Sequence, residues 1–419
     1  MKINKIHELA EDIVNIVTYD YAGYNEISNK RVHRDYLNNI TNGMDYNEFY
    51  KITDRYLKIF KDGHLRIKDN TGEILKNNFK VRRFKNKLYV TESTKNSPVQ
   101  VGESITAIDE KEIDYIARKN QDILDESPER QDFSFILDHG REITLSNGKK
   151  INLIKDKTYL SHKSKYVFHK INQETMYLKF NDFNNTTEIN NKIDIYREEL
   201  RNSKNLLIDL RENKGGNDNS YFGLLDYVFK DKKYYSELKK EKDFIYYNAT
   251  KRNLDLRKKM LFSFLNPNHM KDTMLDKLIK KEIAFFEDNL GKGLVPYNDS
   301  EDIDFFINGK NKPQRIIVLT DYFCASSGEN FVELVQKSSK VTVIGRNTMG
   351  VTDYSNCCEE NKGDFSIIYP ISKRSYVDYG LGIQGKGIKA DIYIPWTPEL
   401  IKEDQDLALA LKIFKKSSI

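Results

Sequence analysis

Cysteine occurs only three times in 419 residues, at Cys324, Cys357 and Cys358. An odd count with two adjacent members does not make a disulfide framework, and a reducing, cytoplasmic setting is the simplest reading. No two cysteines stand at metal-ligand spacing with a histidine pair. The His-Glu-x-x-His pattern is absent too, so neither a metal nor another cofactor is expected. An unbroken apolar run of about 18 residues is also missing, and no transmembrane helix is predicted. The N-terminus, MKINKIHELAEDIVNIV, mixes apolar and charged residues at helical spacing, and no apolar stretch follows a basic start. No signal peptide is expected from it. A one-signed charge excess is lacking as well. Sixty-eight Lys and Arg are interleaved with 63 Asp and Glu, for a net charge of +5. That pattern belongs to a solvated surface and predicts neither a nucleic-acid nor a membrane partner.

What is present supports a folded chain. Hydrophobic residues make up 39%, and 21 glycines bring the apolar set near the globular norm. At about 150 residues per domain, the length gives two or three domains. Residues 1 to about 62 repeat apolar residues every three or four positions, in ELAEDIVNIV and YNEFYKITDRYLKIF, which predicts helices. HLRIKD, at His64, reads as a short strand. From 76 to 160 strand signals dominate: KLYVTES, VGESITAIDEKEI, and EITLSNGKKINLI with its Ser146-Asn147-Gly148 hairpin turn. From Lys165 strands alternate with helices: ETMYLKFNDF, EINNKIDIYREELRN, NLLIDLR, YFGLLDYVF, RIIVLT, SSGENFVELVQK, VTVIGR and EDQDLALALKIF. Such alternation predicts an α/β layer with a partly parallel sheet. Residues 232–312 are charged and read as a helical insertion. No repeat of fixed period is present.

Three segments carry chemistry. In RIIVLTDYFCASSGENFVELVQK an apolar strand turns into a helix that starts at serines. That geometry lifts a side chain above the sheet edge and sets helix N–H groups beside it, as an oxyanion site requires. The same Ser326–Glu329 spacing is that of a capping box, in which the two residues merely satisfy helix donors. In NLLIDLRENKGG a strand ends in Asp209-Leu210-Arg211 and then Gly215-Gly216, whose missing side chains permit close backbone approach. In KDGHLRI, His64 opens a strand.

Together, these segments make the chain resemble the C-terminal processing peptidases and their tricorn-core relatives. Asp62-Gly63-His64, Asp209-Leu210-Arg211 with Gly215-Gly216, Ser326-Ser327-Gly328-Glu329, Ile344-Gly345 with Thr348-Met349-Gly350, and Gln384-Gly385-Lys386-Gly387 follow the family's order. The resemblance covers about residues 50 to 415. It implies an α/β, or α+β multi-domain, fold with a ClpP/crotonase-like catalytic sheet. Residues 1–75 would be an N-terminal helical region carrying the histidine, 76–160 a β-rich, PDZ-like domain, and 161–419 the catalytic domain. It implies Ser326 as nucleophile, His64 as base, and oxyanion donors at Ser327, Gly215 and Gly216. The implied substrates are peptides or unfolded proteins; oligomeric state is not legible.

Two positions depart from the family pattern. The lysine that serves as base in the C-terminal processing branch falls at Val351, which cannot accept a proton, so the histidine-using, tricorn-like branch fits better. That branch steadies its histidine through a late glutamate, and the position here is Gln384. Asp353 and Asp378 are the nearest acids in sequence. Without a carboxylate relay, two alternatives remain: a catalytically impaired relative that binds peptides or a partner, and a hydrolase or acyltransferase of a peptide-derived natural product.

Overall fold

The computed structural model describes residues 3–24, 30–157, 163–239, 243–263, 274–297 and 304–416. The chain forms two compact units. One takes residues 1–74, 240–304 and 353–382; the other takes 75–239, 305–352 and 383–419. Both are mixed α/β assemblies, and between them they hold several separate sheets.

The first unit is built on helices. Tyr46–Lys58 shows why one forms: Asp45 accepts from the N–H of Glu48 at 2.9 Å, and Glu48 accepts from the N–H of Asp45 at 3.2 Å. This reciprocal cap satisfies two orphan donors, and Arg55 and Lys58 suit the carbonyl end. The helix buries Phe49, Tyr50, Thr53, Tyr56 and Leu57 on one stripe. Lys61, at φ 51°, ends the run and turns the chain toward Asp62-Gly63-His64. The strand Arg66–Asp69 then pairs antiparallel with Phe365–Arg374, which also pairs with Tyr354–Asn361 and Ile245–Asn248; Leu294–Tyr297 closes the sheet. Residues 232–312 are thus not wholly helical. Lys251–Ser263 and Met274–Asp288 are helices, but the aromatic and β-branched runs on either side of them are strands.

The second unit holds the expected β/α layer. Its strands run in the order Tyr166–Asn172, Thr175–Phe180, Asn205–Asp209, Arg315–Thr320, Val341–Gly345, Ile392–Tyr393, all parallel after the first, antiparallel pair. Alternate residues of the central strands enter different cores. Leu206, Ile208, Ile316 and Val318 join the larger cluster with Phe331 and Val335 of the helix Ser327–Val335. Leu207, Ile317 and Leu319 join Ala410 and Phe414 of the helix Gln405–Lys416. Burial on both faces explains the unbroken apolar runs LLI in NLLID and IIVL in RIIVLT. Residues 79–152 form a separate antiparallel sheet, ordered Phe79–Phe84, Lys87–Ser93, Ser104–Ile108, Glu142–Leu145, Lys150–Asn152, around a core that includes Leu88, Ile105, Ile113 and Ile143.

Candidate active site

Ser326 sits where the strand Arg315–Thr320 has turned into the helix Ser327–Val335. Its backbone is at φ 55°, ψ −125°, a conformation that costs a residue with a side chain about 1–3 kcal/mol. The Ser326–Glu329 pair has the reciprocal placement of a capping box, yet the serine hydroxyl makes no cap hydrogen bond. The helix N–H groups of Glu329 and Asn330 go instead to the Ser326 carbonyl, at 2.7 and 3.1 Å. The hydroxyl is left half-buried and unspent on capping. Ser327 differs. It is 2% exposed, and its hydroxyl donates to Asp218.

The glycine pair lies against this serine. A Cβ on Gly215 would stand 2.6 Å from Ser326 Cβ and 3.1 Å from the Ser327 nitrogen. A Cβ on Gly216 would meet the Phe183 backbone at 2.4 Å. Both glycines have positive φ, 84° and 141°. Asn213, fully buried, holds the turn: its Oδ1 accepts from Gly215 N–H at 2.9 Å and its carbonyl from Ala325 N–H at 2.9 Å. Phe183 donates to the Gly215 carbonyl, and Asn217 donates to the Phe183 carbonyl. That bridge pattern turns the N–H of Gly216 away from Phe183. Among the described residues, no hydrogen bond uses the N–H of Gly216 or of Ser327.

Glu329 is fully buried, and its carboxylate accepts four donors. They are Ser326 N–H at 3.1 Å, Thr348 Oγ1–H at 2.7 Å, Gly350 N–H at 2.5 Å and Val351 N–H at 2.9 Å. Burial pushes its carboxyl up, and the donors pull against that. Thr348 in turn meets the Gln384 turn: its hydroxyl accepts from Ile388 N–H at 2.7 Å, and a Cβ on Gly387 would stand 1.9 Å from its carbonyl oxygen. Gln384 is half-buried in that turn. Arg130 donates to the carbonyls of Thr348 and Met349 at 2.9 and 2.5 Å, which ties the β-rich segment to the same loop.

A buried ionic ladder supports the strand ends. Arg82 and Arg346 both reach Asp321, at 2.6 and 2.8 Å. Arg346 also reaches Asp406 at 2.6 Å, and Arg211 joins Asp406, Asp404 and Asp209 at 3.2, 2.7 and 2.7 Å. Burial alone would raise the carboxyls of Asp321 and Asp209, but the arginines beside them hold both below the ordinary carboxylate value.

His64 belongs to the first unit. Its Nδ1 lies 2.8 Å from the carbonyl oxygen of Tyr354. A carbonyl can only accept, so Nδ1 carries a proton, and it is Nε2 that presents the lone pair whenever the ring is neutral. Asp378 is paired with Lys373 at 2.6 Å, and Asp353 is 2% exposed in the same unit. The second unit thus brings together Ser326, Ser327, Gly215, Gly216 and the Gln384 turn, while His64 is set in the first. The Ser-x-x-Glu spacing marked Glu329, but only as a cap. Nothing local in the sequence marks Asn213, Asp218 or Tyr354.

Mature CPAF in complex with lactacystin shares the fold, at TM-score 0.66 and 11% identity over 99% of this chain and 98% of its own. Mature CPAF gives TM-score 0.67 and 10% identity over 98% and 96%. The tricorn protease reaches TM-score 0.48 at 14% identity, over 99% of this chain and 37% of its own. No curated protein matches by sequence. Peptidase family S41 matches residues 174–394, more than half of the chain and the stretch that holds Gly215, Ser326, Glu329 and Gln384. The chain therefore belongs to peptidase family S41, as a serine peptidase acting on peptide or protein substrates.

Proposed function

We propose that Ser326 is the nucleophile and His64 its general base, in a Ser-His acyl-enzyme cycle on peptides and unfolded proteins. Ser326 Oγ attacks the scissile carbonyl while Nε2 of His64 takes its proton. The proton then passes to the leaving amine, and water repeats the sequence on the acyl-enzyme. The N–H groups of Ser327 and Gly216 receive the oxyanion. Gly215 supplies closeness instead, since its own N–H is engaged by Asn213. The observation that carries this reading is a half-buried serine hydroxyl, free of capping, next to two unspent backbone donors. Gln384, at the relay position, offers hydrogen bonding without charge. The Tyr354 carbonyl already occupies Nδ1, and this supports an active site over a catalytically impaired one.

We read residues 76–160, of which 158–160 lie outside the described residues, as a PDZ-like segment whose sheet edge, Phe79–Phe84 or Lys150–Asn152, adds a substrate's C-terminal strand. The three free thiols support a reducing compartment. A fluorophosphonate followed by peptide mapping tests the nucleophile: the label is expected on Ser326 and is lost in His64→Ala. A label elsewhere, or one indifferent to His64, overturns the assignment. Equal cleavage of peptides with free and amidated C-termini would remove the proposed recognition of a substrate's C-terminal strand.

A further inference from the structure

Beyond its ring contact with Tyr354, His64 is held from its main chain. Its N–H donates to Asp62 Oδ1 at 2.8 Å. Asp62, 6% exposed, accepts on its other oxygen from the Tyr21 hydroxyl at 2.9 Å. The Tyr21 ring, 2% exposed, packs on the ring of Tyr354 with centroids 6.0 Å apart. Tyr354 completes the path through its carbonyl to His64 Nδ1 at 2.8 Å. The four residues close a circuit, and each member fixes the next. The main chain around Tyr21 is anchored independently: Tyr21 N–H donates to the Ile16 carbonyl at 2.9 Å, and Ala22 N–H to Pro370 at 3.0 Å. Gly23 completes the fit, since a Cβ there would stand 2.2 Å from the Tyr21 hydroxyl oxygen.

We infer that Tyr21 and Asp62 are positioning residues that lock His64 in its Nδ1–H tautomer and hold its Nε2 lone pair in one direction. The inference rests on His64 being the base. A serine hydroxyl needs its base in a narrow range of distance and angle, and small displacements far from the chemistry cost rate steeply. In many triads a carboxylate on the imidazole does the orienting. Here a backbone carbonyl takes Nδ1, and the carboxylate acts one step removed, on the histidine main chain. The circuit therefore explains how a chain with glutamine at position 384 keeps an oriented imidazole.

Tyr21→Phe removes one hydroxyl and keeps the ring. Gly23→Ala keeps the hydroxyl and pushes it. Each protein is titrated with fluorophosphonate so that turnover is read per competent site, which a purely structural loss would leave unchanged. Both variants are expected to lose at least about tenfold in kcat with KM within about twofold. Nitrogen-15 spectra, with His64→Ala identifying the signals, are expected to show a protonated Nδ1 in the parent and a mixed tautomer in the variants. Unchanged per-site kcat in both variants, or an unchanged His64 nitrogen spectrum, overturns the inference. Should either variant fail to fold, Asp62→Asn is read by the same two measurements. Full turnover in His64→Ala would overturn the base assignment itself, and the spectrum would still decide whether the circuit sets the tautomer.

Discussion

Gly215 approaches Ser326 so closely that a methyl group on the glycine would stand 2.6 Å from the serine Cβ. Such a contact cannot be relaxed by a side-chain rotation, because both partners are main chain or the first side-chain carbon. Gly215→Ala also places a side chain at φ 84°. Fluorophosphonate labelling of Ser326 is expected to fall at least about a hundredfold, in line with a displaced nucleophile. Labelling within about tenfold of the parent would mean that the turn yields and that the closeness is not required.

The two adjacent serines are expected to separate cleanly. The Ser326 hydroxyl caps nothing, so Ser326→Ala leaves thermal stability within about 0.5 kcal/mol and removes hydrolysis. Ser327→Ala breaks the bond to buried Asp218 and costs about 1–3 kcal/mol, yet turnover stays within about tenfold. Calorimetry and peptide cleavage measured on both variants check this. The reverse pattern would exchange the roles of the two residues.

Glu329 holds four donors and offers none. Glu329→Gln turns one acceptor into a donor that faces a hydrogen-bond donor. The expected loss is about 1–3 kcal/mol of stability. Turnover falls with it, because Ser326 N–H and the loop 348–351 lose their common anchor. Urea midpoints and kcat that both match the parent would show that an amide can replace the carboxylate.

Gln384 is expected to matter little. With Nδ1 of His64 held by Tyr354, Gln384→Ala should keep turnover within about tenfold, as a residue outside the catalytic unit would. A loss near the ten-thousandfold that follows removal of an orienting carboxylate would return the relay role to this position.

Acid is expected to weaken the second unit through its ionic ladder. Asp209, Asp321 and Asp404 are held below the ordinary carboxylate value, against burial, by neighbouring arginines. A depressed native value means that the unfolded chain binds the proton more readily. Stability is then present above the unfolded value of about 3.9 and is lost as pH falls through the lower native one. Urea midpoints should decline below about pH 4 and less steeply in Asp321→Asn. That variant should also lose about 3–5 kcal/mol at neutral pH, because Arg82 and Arg346 are left buried without it.

The local grammar of the catalytic layer was legible because its signals are short in range. Unbroken apolar runs marked the strands Asn205–Asp209 and Arg315–Thr320, and helical spacing marked Ser327–Val335. The strands Tyr354–Asn361 and Phe365–Arg374 left no such trace. Nearly every residue of the second is buried, so polar Ser366, Ser372 and Lys373 sit inside and the alternation that announces a strand is lost.

The amino-acid sequence alone determined the order of the chemical blocks, the placement of a serine at the start of a helix, and the absence of a basic side chain at Val351. These depend on residue identity and on spacing within a few turns. Tertiary structure decided which groups were left unspent. Whether the Ser326 hydroxyl caps its helix depends on where Glu329 and Asn330 send their N–H groups. Whether Gly215 can donate depends on Asn213. Which nitrogen of His64 holds the proton depends on a carbonyl 290 residues away in the chain. A hydrogen-bonding group does not announce its partner in sequence, because the partner is chosen by the packing that brings it within about 3 Å.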